Sequence, residues 1–262
     1  MAEPCPTAEK VREKHRKKHT GIKDVRFVLA VGSGKGGVGK TTVSALTSMA
    51  LERAGYSVGI FDLDFYGPNI NLALGLKDKK PIIEFGEIKP VIADQNIRVL
   101  SLALMISEKE PIFMRGLMAS KLLQELLQKV KWGPLDFLIL DLPPGTGDIF
   151  LSMLELFAPD GFILVTTSHK MAIADAKRTT VILKEMEVPL LGVVKNMAGF
   201  FENEEAFEEF LKEQRLKLLF EVPMFKELST VESLPELFKD NSREEFLETI
   251  ADKLLDVVFR VH

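Results

Sequence analysis

The sequence predicts an α/β protein built on a doubly wound, mainly parallel sheet of seven to eight strands, with helices on both faces. Three observations lead there. Short runs along the chain are apolar almost without interruption, as strands covered on both faces are. Helical patterns lie between them, which calls for right-handed crossovers. A glycine-rich turn, VGSGKGGVGKTT (Val31 to Thr42), joins the first run to the first helical pattern.

The strand runs are RFVLAV (Arg26 to Val31), SVGIFD (Ser57 to Asp62), IRVLSL (Ile97 to Leu102) and DFLILD (Asp136 to Asp141). GFILVT (Gly161 to Thr166), LLGVVKN (Leu190 to Asn196) and LLFEV (Leu218 to Val222) complete them. The first helix is expected from Lys40 to about Ala54, with Val43, Leu46, Ala50 and Ala54 on one stripe and Gly55 as its stop. A second spans Ala119 to Val130. A last one starts at Ser242 with Glu245 in capping-box spacing and turns Phe246, Ile250, Leu254 and Val258 inward. Between Phe201 and Leu216, Phe207, Phe210 and Leu211 fall at helical spacing beside a row of glutamates, an amphipathic surface helix. Five methionines, Met114, Met118, Met171, Met186 and Met197, read as core filler. No linker or repeat divides residues 25–262, so they form one domain behind a flexible basic tail of residues 1–24.

Composition narrows the function classes. A net charge of −4 gives no global attraction to nucleic acid or anionic lipid. The basic run KVREKHRKKHTGIK in the tail lacks the aromatics that stack on bases, so nucleic acid is not the expected partner. The single cysteine, Cys5, allows no internal disulfide. No apolar run reaches membrane-spanning length, and MAEPCPTAEK does not read as a signal peptide, so a cytoplasmic location without membrane partners is expected.

Within the glycine turn, Gly34-Lys35-Gly36-Gly37-Val38-Gly39-Lys40-Thr41 matches GxxxxGK followed by Ser or Thr, between a strand and a helix as that motif requires. Glycines let backbone N–H groups converge on phosphates, and the helix N-terminus adds partial positive charge. The candidate ATP-binding residues are therefore Gly34 to Thr42. Lys40 would bridge the β- and γ-phosphates, and the Thr41 hydroxyl would hold Mg²⁺. In LILDLPPGTGD, Asp141 ends a buried strand and is a second candidate for the metal. In GIFDLDFYGPN, Asp62 and Asp64 end the strand after the first helix, at the same sheet edge. Asp64 is the candidate to orient the attacking water, and Asp62 to secure the magnesium site or its surroundings.

GKGGVGKT, DLDFYGPN and DLPPGTGD together resemble the deviant-Walker-A ATPases that include MinD and ParA, and within them the Mrp/ApbC nucleotide-binding proteins known as iron–sulfur cluster carriers. The likeness runs from about residue 25 to residue 200 and includes MRG (Met114 to Gly116), WGPLDFLILDLPPGTGD, VTTSHKMAIADAKR and VPLLGVVKNMAGF. It implies a P-loop NTPase fold, slow ATP hydrolysis that depends on homodimerisation, and a role in cluster assembly or delivery to an acceptor or scaffold protein. It also implies that Lys35 reaches across the dimer into the partner's site, as an arginine finger does, and that Asn196 contacts adenine.

The chain departs from that family at one point. The carriers have a C-P-x-C pair just after the NMAGF segment, which lets a dimer hold a 4Fe–4S cluster. Here the sequence continues FFENEEAFEEF, and Cys5 is the only thiol. The alternative reading is therefore an ATP-gated scaffold that positions a partner and carries no cluster. A site built from Cys5, His15 and His19 in the tail is a further possibility.

Overall fold

The computed structural model describes residues 22 to 261 except 23, 66, 77–78, 94–95, 102–103, 105–115, 202, 230–231 and 240–242. Cys5, His15 and His19, Met114 and Arg115 of the MRG segment, the side chain of Met118 and the expected cap Ser242 lie outside what is described.

Among the described residues there are ten strands. In chain order they are β1 (Val25–Gly32), β2 (Val58–Asp62), β3 (Ile82–Glu84), β4 (Glu87–Lys89), β5 (Val91–Ile92), β6 (Arg98–Ser101), β7 (Leu135–Asp141), β8 (Gly161–Thr166), β9 (Leu190–Ala198) and β10 (Leu218–Pro223). Eight form one sheet in the order β10-β9-β8-β1-β7-β2-β6-β5. Every pairing in it is parallel except that of β5 with β6 at the edge. The helices are α1 (Lys40–Arg53), α2 (Ile70–Ala73), α3 (Gly116–Lys129), α4 (Asp148–Phe157), α5 (Lys170–Glu185), α6 (Glu204–Gln214), α7 (Leu234–Leu237) and α8 (Glu244–Val261).

The continuous apolar runs have their reason in two cores. Phe27, Leu29 and Val31 of β1 and Phe137 and Ile139 of β7 face one core, which α1 and α8 close with Val43, Leu46, Ile250 and Leu254. Val28 and Ala30, with Leu138 and Leu140, face the other, closed by α3, α4, α5 and α6. Strands buried on both faces have no polar side to alternate with. Phe207 and Phe210 of α6 are fully buried in that second core, so the expected surface helix is amphipathic and anchored.

Two expectations need correction. Ala54 is exposed, because α1 ends at Arg53 and Ala54 is its C-cap. Met171 is 66% exposed on the first turn of α5 instead of filling a core. The sheet has eight strands, within the expected seven to eight; the short edge strand β5 is the one no apolar run announced, and β3 and β4 form a separate antiparallel hairpin. That hairpin turns through Phe85 (φ 51) and Gly86 (φ 80), and Ile82, Ile83 and Phe85 are all exposed. With Ile88 its single buried strand residue, the hairpin carries too little alternation to read.

Candidate nucleotide-binding site

Register assembles the acidic residues. Val31 of β1 lies opposite Asp141 of β7, Asp141 opposite Asp62 of β2, and Asp62 opposite Ser101 of β6. Four neighbouring strands thus end in one row at the carboxyl edge of the sheet, the edge at which doubly wound folds bind ligands. Leu63 N donates to Asp141 O at 2.9 Å and Leu142 N to Val31 O at 3.0 Å, so the chains leaving these strands stay aligned.

The glycine loop leaves β1 at the centre of that row and enters α1. Gly37 (φ 79) and Gly39 (φ 80) adopt the left-handed conformation that favours glycine. Gly39 meets a second demand, since a Cβ there would come within 2.0 Å of Asn196 Nδ2. That amide, at the end of β9, donates to Val38 O at 2.8 Å and pins the loop from the side. A Cβ on Gly34 would meet the backbone of Asp175 in α5 at 2.5 Å. Gly145, in the PPGTGD segment after β7, donates its N–H to Ser33 O at 2.9 Å. Gly36 and Gly37 are exposed at the tip, Val38 is buried, and Lys35 and Thr42 are half-buried.

At the mouth of α1 the side chains converge on Asp141, which is fully buried. Lys40 Nζ donates to Asp141 Oδ1 at 2.8 Å, and Thr41 Oγ1 donates to Oδ2 at 2.8 Å. Ser44, one turn further along α1, donates to Oδ1 at 2.7 Å. Sequence reading missed Ser44. The signal was present in its spacing, four residues after Lys40 and hence on the same helix face, but it stands among apolar stripe residues.

Asp62 is bonded differently. Its Oδ1 accepts from Asp64 N at 3.1 Å, and its Oδ2 accepts from Ile70 N at 3.2 Å and Ser101 Oγ at 3.1 Å. The carboxyl therefore braces the turn that carries Asp64 and the start of α2. Burial, then the neighbouring Asp141, push the Asp62 carboxyl up to about 7, against the pull of Lys40 and of the N–H groups of Asp64 and Ile70. Asp64 itself is 9% exposed, and its Oδ1 accepts from Gly67 N at 3.2 Å.

The oxygen donors suit a small hard cation. Thr41 offers a hydroxyl and Asp141 a carboxylate at the helix mouth, the combination that holds magnesium beside a nucleotide. Among the described residues no three His, Cys, Asp or Glu side chains group as a metal site. Magnesium at such a mouth takes its remaining positions from phosphate and water.

The loop after β9 carries no thiol. Met197 (φ 55) and Gly199 (φ 79) turn the chain so that Phe200 is 59% exposed, while Phe201 packs edge-on against His169, with centroids 5.3 Å apart. Just before it, Lys195 is buried between Glu204 Oε2 and Glu221 Oε1, each at 2.5 Å. Burial pulls its ammonium down, but the two carboxylates outweigh that and hold it above its ordinary value.

A strand, a glycine loop, a helix opening on Lys-Thr and a strand-end aspartate on that Thr define a P-loop NTPase. A family profile described as "ParA: NUBPL iron-transfer P-loop NTPase" matches residues 24–257, and the chain belongs to this family. A relative from Rickettsia typhi named iron-sulfur cluster carrier protein is 37% identical over 227 residues, which are 86% of this chain and 70% of that protein. Its namesake from Aquifex aeolicus is 44% identical over 187 residues, 71% of this chain and 50% of the other. The nucleotide-binding protein of Archaeoglobus fulgidus, solved in complex with ADP, is similar with a TM-score of 0.68 at 27% identity over 92% of each chain. The cell division ATPase MinD of Pyrococcus furiosus shares the fold, with a TM-score of 0.64 at 21% identity over 88% of this chain and 99% of that one. Among the described residues no helix is long and apolar enough to cross a membrane.

Proposed function

We propose that this chain is a Mg-ATP-dependent hydrolase that acts as a homodimer in the assembly or delivery of iron–sulfur clusters. One observation carries the enzymatic part: Asp141 is buried at the end of β7, with Thr41 Oγ1 at 2.8 Å on one oxygen and Lys40 Nζ at 2.8 Å on the other. Backbone N–H groups of residues 34–40 and the N-terminus of α1 receive the phosphates. Lys40 moves its charge from Asp141 to the β- and γ-phosphate oxygens. Thr41 and Asp141 would hold magnesium, which would supply charge neutralisation at the same phosphates. Asp64 accepts a hydrogen bond from the attacking water, whose oxygen bonds to the γ-phosphorus as the bond to the bridging oxygen breaks, leaving ADP and phosphate. We assign Asn196, whose amide lies beside the loop on Val38 O, to contact with the adenine base.

Lys35 is half-buried near the loop tip, and its carbonyl accepts from Ser33 Oγ at 2.9 Å. We assign its ammonium to the γ-phosphate held by a second copy, which ties turnover to dimerisation. Specific ATPase activity should then rise with protein concentration. Lys35→Ala should lower turnover by about 10²-fold or more while Mg-ATP still binds, a loss in the range seen when one charge-stabilising donor is removed. Unchanged turnover in that variant refutes the trans role.

The cluster is cargo in this scheme, and family membership with the named carriers supports it. The loop after β9 supplies no ligand, so thiolates for the cargo come from Cys5 or from an acceptor or scaffold protein. The aromatic turn of Phe200 and Phe201 favours a second reading, an ATP-gated scaffold that docks a partner without carrying a cluster. Anaerobic reconstitution with iron and sulfide separates the two. Absorbance near 400 nm that survives desalting and is lost in Cys5→Ser supports carriage, and its absence supports the scaffold.

A further inference from the structure

We propose that Ser44 is a positioning residue for the magnesium site, holding Asp141 in orientation once Lys40 has turned to the nucleotide; this rests on the Mg-ATP reading above. Three donors from α1 meet one carboxylate. Thr41 takes Oδ2, while Lys40 and Ser44 share Oδ1 at 2.8 and 2.7 Å. Asp141 and Ser44 are both fully buried, so no bulk water can replace a donor that leaves. A buried carboxylate oxygen stripped of its donors is costly.

Lys40 has one ammonium and two anions to serve. With a triphosphate in the loop, its charge is required about the β- and γ-oxygens. Oδ1 then depends on Ser44. The Ser44 hydroxyl keeps the carboxylate plane as it stands, with Oδ2 aimed at Thr41 and the helix mouth. Without it, Asp141 rotates away from the metal position, which weakens the metal-dependent part of nucleotide binding.

Ser48 supplies a matched control. It is also fully buried on α1, one turn on, but its hydroxyl donates to Ser44 O at 2.9 Å within the helix. The quantity to measure is the ratio of affinities for a fluorescent non-hydrolysable ATP analogue in magnesium and in EDTA. Ser44→Ala should lower that ratio about tenfold with the EDTA affinity changed less than about twofold, the loss expected when a residue orienting a metal ligand is removed. Ser48→Ala should keep the wild-type ratio. Should Ser44→Ala not fold, Ser44→Cys keeps the volume and offers a poor donor; a reduced ratio there supports the assignment, and a wild-type ratio overturns it. An unchanged ratio in folded Ser44→Ala, or an equal fall in Ser48→Ala, also overturns it. If the wild-type protein shows no magnesium-dependent binding at all, the nucleotide reading itself fails, and the two failures are told apart by that one control.

Discussion

At the scale of single residues, the two aspartates of the DLDFYGPN segment do different work although only one residue separates them. Asp62 accepts three hydrogen bonds inside the fold, two from backbone N–H groups and one from Ser101. Asp64 stands on the turn that Asp62 braces and is buried at 9% exposure, with Gly67 N donating to its Oδ1 at 3.2 Å. Asp64→Asn should therefore leave nucleotide affinity near wild type and cut the hydrolysis rate by about 10²-fold, the usual loss for a positioned proton acceptor. Single-turnover hydrolysis alongside analogue binding checks this. An affinity loss matching the rate loss would mean that the residue shapes the site instead of serving the water. The sequence made both acids visible, but strand-end acids look alike in a string. Their separation comes from what surrounds each carboxyl.

At the scale of elements, the loop works because neighbours hold it. Gly39 is confined by its φ of 80 and by Asn196 Nδ2, 2.0 Å from where a Cβ would be. The glycine and the asparagine are thus one device, though 157 positions apart along the chain. Gly39→Ala must push the Asn196 amide aside, release Val38 O and strain the helix entry. It should weaken ADP binding by about tenfold or more, since left-handed strain alone is worth about 1–2 kcal/mol. Isothermal titration with ADP reads it, and wild-type affinity would show that the loop re-forms without the clasp. The glycines and their spacing announce the loop in the sequence; the clasp does not appear there, because a hydrogen bond from a distant strand to the loop leaves no local pattern. The antiparallel β3–β4 hairpin escaped for the opposite reason. It is local, but of its six strand residues only Ile88 is buried, too few for the alternation that makes strands legible.

At the scale of the whole molecule, burying a row of acids at the sheet edge has a cost that pH exposes. Asp62 holds its proton up to about pH 7 in the fold, against an ordinary value of 3.8. Between those values the folded protein binds a proton that the unfolded chain has released. Its contribution to stability is therefore greatest in acid, falls as pH rises through this window, and levels off above it. Urea unfolding of the nucleotide-free protein should give about 1–2 kcal/mol less stability from Asp62 at pH 7.0 than at pH 5.5. The difference between wild type and Asp62→Asn isolates that part, and equal pH slopes in the two proteins would refute it. Stability given up here buys a site already shaped for charge.

By itself the sequence determined the fold class, the loop and its lysine and threonine, and the strand-end aspartates, because apolar runs and glycine spacing are short-range signals. The rest was decided by tertiary structure. Register put Val31, Asp141, Asp62 and Ser101 in one row, α1 laid Ser44 on Asp141, and β9 brought Asn196 to Val38. Each of these joins residues far apart in the chain, and such contacts exist only after both cores have closed over the sheet and fixed where every strand ends.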